Sequence, residues 1–89
     1  MPEKFPLGRC VITSNAKATL HPADIQPALA RHHSGDWGDL DEHDRRENEK
    51  SLGHGLRLLS AYKDRNGVKF WIITEADRSA TTILLPEDY

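Results

Sequence analysis

The stretch Leu56–Tyr89, LRLLSAYKDRNGVKFWIITEADRSATTILLPEDY, decides the fold. Runs of aliphatic, aromatic and β-branched residues flank Asn66-Gly67, a dipeptide suited to a tight hairpin because both residues tolerate positive φ. A third apolar run, Thr81–Leu85, follows. The pattern predicts a three-stranded antiparallel meander over residues 56–85. With Asn66-Gly67 as a two-residue turn, Arg65 faces Val68, and Tyr62 pairs with Trp71, Ser60 with Ile73 and Leu58 with Glu75. One face then carries Leu56, Leu58, Ser60, Tyr62, Trp71 and Ile73. The other carries Arg57, Leu59, Ala61, Lys63, Phe70, Ile72 and Thr74. Both are mixed; the second is expected to be core because small Ala61 leaves room for a helix. Tyr62 and Trp71 would then form a cross-strand aromatic pair, available for binding, on the opposite face.

Upstream of the meander, residues 1–8 read as an irregular lead-in, and residues 9–13 as a strand able to pair with the meander's edge. Ser14 or Asn15 caps a short helix through Leu20, which His21-Pro22 breaks. A second helix begins at Asp24 as N-cap, with Pro27 in its first turn; Ile25, Ala28, Leu29 and His32 share a face, and Gly35 supplies a left-handed exit. Gly35 and Gly38 let the backbone bend so that Trp37 reaches the core. Asp39 or Asp41 opens a third helix, with Glu42 placed for a capping box. Between Asp41 and Lys50 there is no aliphatic residue, so only Leu40 and Leu52 can anchor it, and Gly53 and Gly55 end it. The expectation is one α+β domain over residues 1–89: N-terminal strand, two to three helices over 14–52, then the meander packed against them.

A chain of 89 residues buries only roughly 60–65% of its unfolded surface, which suits one sheet covered on one face by helices. The formal net charge of −2 argues against a dedicated nucleic-acid binder. That charge is unevenly spread: residues 36–50 hold seven acidic and three basic groups, whereas residues 51–89 hold five of each. The single cysteine, Cys10, permits no internal disulfide, and no segment has the apolar core of a signal peptide or a membrane span. A cytoplasmic protein without membrane association is expected.

Three clusters are candidates for function. The loop Glu75–Ala80 brings together Asp77, Arg78 and Ser79, and an arginine there can grip a phosphate or carboxylate through paired bonds. The plainer reading, preferred here, is that Asp77 and Arg78 pair with each other or with the acidic helix and fix the turn. His32, His33 and Asp36, joined by His21 or His54, lack the spacing of a zinc site, so packing and hydrogen bonding are expected, with no metal and no cofactor. The acidic helix is either a solvated face or a partner surface, with Asp41, Asp44 and Glu47 as contacts.

Three blocks carry a resemblance: ARHHSGDWG at 30–38, RLLSAY at 57–62 and WIITEADRSATTILLPEDY at 71–89. In them the chain resembles a family of small bacterial proteins carried on plasmids and other mobile elements, sometimes labelled as associated with type I restriction-modification. That resemblance implies no catalytic residue. The order of elements is also similar to the toxin fold of toxin-antitoxin pairs, which includes messenger-RNA-cleaving ribonucleases. Those enzymes display a Lys/Arg cluster on the sheet; here Arg57, Lys63, Lys69 and Arg78 are fewer and balanced by acids. The expectation is therefore a small non-catalytic accessory protein that binds a macromolecular partner, most simply a protein, with a homodimer in view. The alternative is a toxin-like ribonuclease using His54, Arg57 and Arg78.

Overall fold

The computed structural model describes residues 3–89, so Met1 and Pro2 of the lead-in lie outside the described residues. Strand β1 (Arg9–Ile12) is followed by helices α1 (Ser14–Thr19), α2 (Ile25–His33) and α3 (Glu42–His54), and then by β2 (Leu58–Lys63), β3 (Lys69–Thr74) and β4 (Ala80–Leu84). Short 3-10 turns at Pro22–Asp24 and Pro86–Asp88 precede α2 and close the chain. The fold is α+β, with one four-stranded mixed sheet in the order β1-β4-β3-β2. The meander is antiparallel and β1 joins its β4 edge in parallel.

The hairpin register differs by one residue from the two-residue turn expected of Asn66-Gly67. Tyr62 pairs with Phe70, Ala61 with Trp71, Ser60 with Ile72 and Leu58 with Thr74. The cause is Asp64, whose Oδ1 accepts from the Asn66 and Val68 N–H groups at 2.9 and 3.0 Å. It thereby wraps a three-residue loop, Arg65-Asn66-Gly67, with Gly67 alone at positive φ (82°). A two-residue type I′ turn needs positive φ at both central residues, and Asn66 does not adopt it. The other carboxylate oxygen, Oδ2, accepts from the His21 N–H at 3.0 Å and so ties the hairpin tip to the start of the helical layer.

Because side chains alternate along a strand, this slip exchanges the faces. The helix-facing side carries Leu58, Ser60, Tyr62, Phe70, Ile72, Thr74, Thr81 and Ile83, all buried. Tyr62, Phe70, Ile72 and Ile83 pack with Ala16 and Leu20 of the α1 segment, Ala28 of α2 and Leu85. Leu59 and Ala61, expected in the core, lie instead on the helix-free side. Trp71 shares that side, so Tyr62 and Trp71 project from opposite faces and form no pair. Phe5, Trp37 and Leu58 make a second cluster, flanked by Leu7, Leu40 and Leu52.

Local features mostly follow the sequence, with shifts of one or two residues. Thr13 leaves the strand to cap α1 through its hydroxyl. Asp24 precedes α2 without a side-chain cap bond, because its carboxylate is held by Arg65 at 2.9 Å. Asp41, not Asp39, caps α3 and accepts from the Asp44 N–H at 2.8 Å. That helix runs through Gly53 to His54 and ends on left-handed Gly55. It is anchored in its middle as well as at its ends: buried Asn48 accepts from the Leu59 N–H and donates to the Leu59 carbonyl, filling that stretch of the β2 edge. Beyond it, the Ala61 N–H donates to the Trp37 carbonyl and the Asp39 N–H to the Ala61 carbonyl.

Two glycines give opposite expectations. A Cβ on Gly38, at φ +75°, would run into the Ala61 carbonyl oxygen and come within 2.7 Å of the Tyr62 ring. Gly53, inside α3, has open space around the same position. Gly38→Ala should therefore destabilise by at least about 2 kcal/mol, from left-handed backbone strain and lost edge contact. Gly53→Ala should stabilise by about 0.5–1 kcal/mol through helix propensity. Urea unfolding of both variants checks the pair of signs.

Candidate functional site

Two places hold chemistry: a sealed polar chain in the core and an open sheet face. The chain centres on His32, which is 0% exposed. Its Nδ1 lies 2.5 Å from Ser60 Oγ and its Nε2 2.9 Å from Thr74 Oγ1. Thr74 Oγ1 is 2.7 Å from Thr81 Oγ1, which donates to the Leu7 carbonyl, also at 2.7 Å. A carbonyl only accepts, so the Thr81 proton is spent on Leu7 and Thr81 must accept from Thr74. Thr74 in turn accepts from Nε2–H, which leaves a bare Nδ1 to accept from Ser60. The chain thus assigns a neutral imidazole protonated on Nε2. Phe5 and Trp37 pack edge-on against the ring, at centroid distances of 5.2 and 5.8 Å. Burial, with the nearby His33 and Arg78 charges, pushes the His32 pKa down to about 3. A Ser–His pair shut away from solvent cannot reach a substrate, so its work is structural.

The loop around Arg78 is likewise occupied. Arg78 sits at φ +61° and directs its guanidinium inward. Nη1 donates to the carbonyls of Leu56 (2.6 Å), Glu75 (3.1 Å) and Ala76 (3.3 Å), and Nη2 to that of Ser51 (3.2 Å). It therefore ties the end of α3 to the β3–β4 loop. Asp77 Oδ1 accepts from the Ser79 N–H at 3.0 Å, and hydrogen bonds to Ser79 hold its carboxyl below the usual range. His54 and Arg57 are exposed. Arg57 lies over the Tyr89 ring, 5.3 Å from its centroid, while Arg78 spends its donors on backbone.

His32 and Asp36 also part company, since Asp36 pairs with Arg31 at 2.8 Å while the imidazole turns into the core. The described residues contain no group of three His, Cys, Asp or Glu side chains placed to hold a metal ion. On α3, Asp41 is used as a cap, Asp44 is exposed, and exposed Glu47 lies 3.5 Å from Lys50. Glu49 accepts from the Trp37 indole N–H at 2.7 Å. Tyr62 donates its hydroxyl to the Asp36 carbonyl at 2.5 Å, and burial raises its pKa to about 12. It is core, not surface.

What remains is the helix-free face, where Ile73 and Leu84 are buried while Lys63 and Lys69 are exposed. Trp71 and Tyr89 meet edge-on there, 5.9 Å between centroids, with the Arg57 guanidinium over Tyr89. Lys63 and Lys69 stand directly opposite each other across β2 and β3, exposed and with no carboxylate partner among the described residues. Like charges so placed repel, and an anion between them would relieve the repulsion. Asp39, Ala61, Lys63, Lys69 and Trp71 help to line a depression of about 310 Å³. Sequence reasoning reached Trp71 and Arg57 but missed the lysine pair, which only the correct register brings together, and Tyr89, whose contact is purely tertiary.

Comparison of the chain with protein-family models, with curated proteins and with solved structures finds no match in any of the three.

Two measurements check these assignments. Unfolded His32 takes up its proton near pH 6.5 and folded His32 only near pH 3. Its contribution to stability is therefore complete above pH 6.5 and is lost as the pH falls toward 3, by up to about 1.4 kcal/mol per pH unit. Asp24, Asp36, Asp64, Asp77 and Asp88, all lowered from 3.8, act below about pH 5, where the unfolded carboxylates begin to bind protons. Urea midpoints should fall between pH 6.5 and about 5, above the range of those carboxylates, and ¹⁵N NMR should still show a neutral Nε2–H ring at pH 5. Arg78→Ala should destabilise by about 1.5–3 kcal/mol, because several carbonyls lose a charged donor. Arg78→Lys should restore little of this, lacking the fork, and faster amide exchange at Gly55 and Leu56 would report the loosened end of α3.

Proposed function

We propose that this chain is a non-catalytic interaction protein that binds an acidic patch of a protein partner on its helix-free sheet face. The supporting observation is the exposed Lys63/Lys69 pair beside Trp71, Tyr89 and Arg57: apolar rings for contact area and unneutralised cations for orientation. The acidic α3, which packs along β2, limits what can dock. A long polyanion crossing the face would run into its carboxylates, whereas a bounded acidic patch on a protein would not. This role accords with an accessory protein of a mobile element, the setting that the sequence resemblance suggests. The ribonuclease alternative asks Arg78 to grip phosphate, which requires it to release the carbonyls it now holds.

Affinity capture from the native host, repeated with variants, tests the reading. Lys63→Glu/Lys69→Glu and Trp71→Ala should each lower partner recovery at least tenfold, while Asp44→Asn/Glu47→Gln leaves it unchanged. The reverse pattern would transfer the contact to the acidic helix. RNA incubated with the purified protein should stay intact; cleavage abolished by Arg57→Ala would establish the ribonuclease instead.

A further inference from the structure

The sheet has two outer edges, and only one is covered. Along β2, Asn48 engages both backbone groups of Leu59, and the Trp37–Asp39 segment engages both of Ala61. Along β1, the Arg9 and Thr13 N–H groups turn inward to the carbonyls of Ser79 and Ile83, at 2.9 and 3.0 Å. Alternation then turns the N–H and C=O of both Cys10 and Ile12 outward. No group among the described residues bonds to them. Such an edge is a template for another strand.

We infer that a second copy of this chain fills it, its β1 running antiparallel across a twofold axis through Val11. This inference is independent of the partner face proposed above. In this register Cys10 of each copy lies opposite Ile12 of the other. These are the two residues whose backbone groups point outward, so every unpaired donor and acceptor of the edge is satisfied at once. Val11, 39% exposed, meets its own symmetry mate.

Charge selects this orientation. The exposed Arg9 side chain has no anionic partner among the described residues. At the far end of the strand, Asp88 accepts, among the described residues, from uncharged donors: Thr13 Oγ1 at 2.7 Å, Asn15 Nδ2 at 3.1 Å and the Leu85 N–H at 3.0 Å. Antiparallel pairing sets Arg9 of each copy against Thr13 of the other, and hence beside its Asp88, giving two symmetric ion pairs. Parallel pairing would instead bring arginine to arginine. On the helix side, an apolar groove of about 400 Å³ lined by Ile12, Ile25, Leu29 and Ile83 runs along the edge. The second copy's Cys10 and Ile12 side chains point to that side and enter it. An isologous contact of this kind closes on itself, so the open edge does not propagate into fibres.

Sedimentation velocity over a concentration series, with circular dichroism to verify folding, tests the inference. The unmodified chain should show a reversible dimer. Cys10→Pro removes an outward donor without touching the β1–β4 ladder and should weaken self-association at least tenfold. Arg9→Asp, which sets carboxylate against carboxylate, should do the same, and it decides the matter if the proline variant fails to fold. Val11→Cys in a Cys10→Ser background should cross-link on mild oxidation, since facing residues of a non-hydrogen-bonded pair lie within disulfide range. A chain monomeric throughout, a dimer indifferent to Arg9→Asp, or a dimer that resists the Val11→Cys cross-link would each overturn it. So would a monomer whose Cys10 and Ile12 amides gain exchange protection only when an unrelated extended peptide is added.

Discussion

The hydrogen-bond chain Ser60–His32–Thr74–Thr81–Leu7 is the constraint on which the rest of the structure depends. It joins β2, α2, β3, β4 and the segment before β1 in one sequence of donors and acceptors. Each hydroxyl proton and the single imidazole proton is used once and in one direction. Removing any member orphans a buried neighbour, and that costs more than the deleted bond was worth. The chain also locks register. Ser60, Thr74 and Thr81 all face the helices; a one-residue slip of β2 would turn Ser60 to the open side and leave Nδ1 of His32 without a partner. Packing alone would tolerate other pairings of this small, thin core, whereas this chain tolerates one.

The same feature explains what could be read in advance. Element order, the α+β class, the meander, the pairing of β1 with its edge and the bend around Trp37 all follow from local propensity and turn chemistry. The register does not, because the helix-facing set includes Ser60, Thr74 and Thr81 and so is no more apolar than the opposite set, which holds Leu59, Trp71 and Ile73. Hydrophobicity therefore favoured neither face, and the decision fell to Asn66-Gly67, where Asp64 prevails with its two accepted bonds. His32 was legible as a hydrogen-bonding histidine, though not as the hub of the core, since its two partners come from two different strands and a third strand joins only through Thr74.

The candidate site was legible to the same limited degree. Trp71 and Arg57 stand out by residue type. Lys63 and Lys69 become a facing pair only once the loop is known to hold three residues, and the role of Tyr89 depends on a turn that carries the chain from buried Leu85 across to Trp71. Arg78 illustrates the converse. A loop arginine beside two threonines suggests anion binding, yet the carbonyls left over where α3 ends are nearer and satisfy the guanidinium first.

Charge and edge protection prove to be one arrangement. Helix α3 has almost no aliphatic side chains, so hydrophobic burial contributes little to holding it. Asn48 against the β2 edge, Asp41 as cap and Arg78 across its last turn hold it instead. A helix fastened by polar contacts can carry many carboxylates without loss of core, and it places them along the edge it covers. The β1 edge lies three strand spacings away, roughly 14 Å, and carries the opposite design: bare backbone groups, a cation at one end and a carboxylate at the other. A strand approaching β2 meets side chains already bonded and a field that repels anions. One approaching β1 meets free donors and acceptors and, if it is antiparallel β1 itself, charges of the complementary sign. Lys63 on β2 and Lys69 on β3 project from the helix-free face beside the covered edge, exposed and with no ion-pair partner among the described residues.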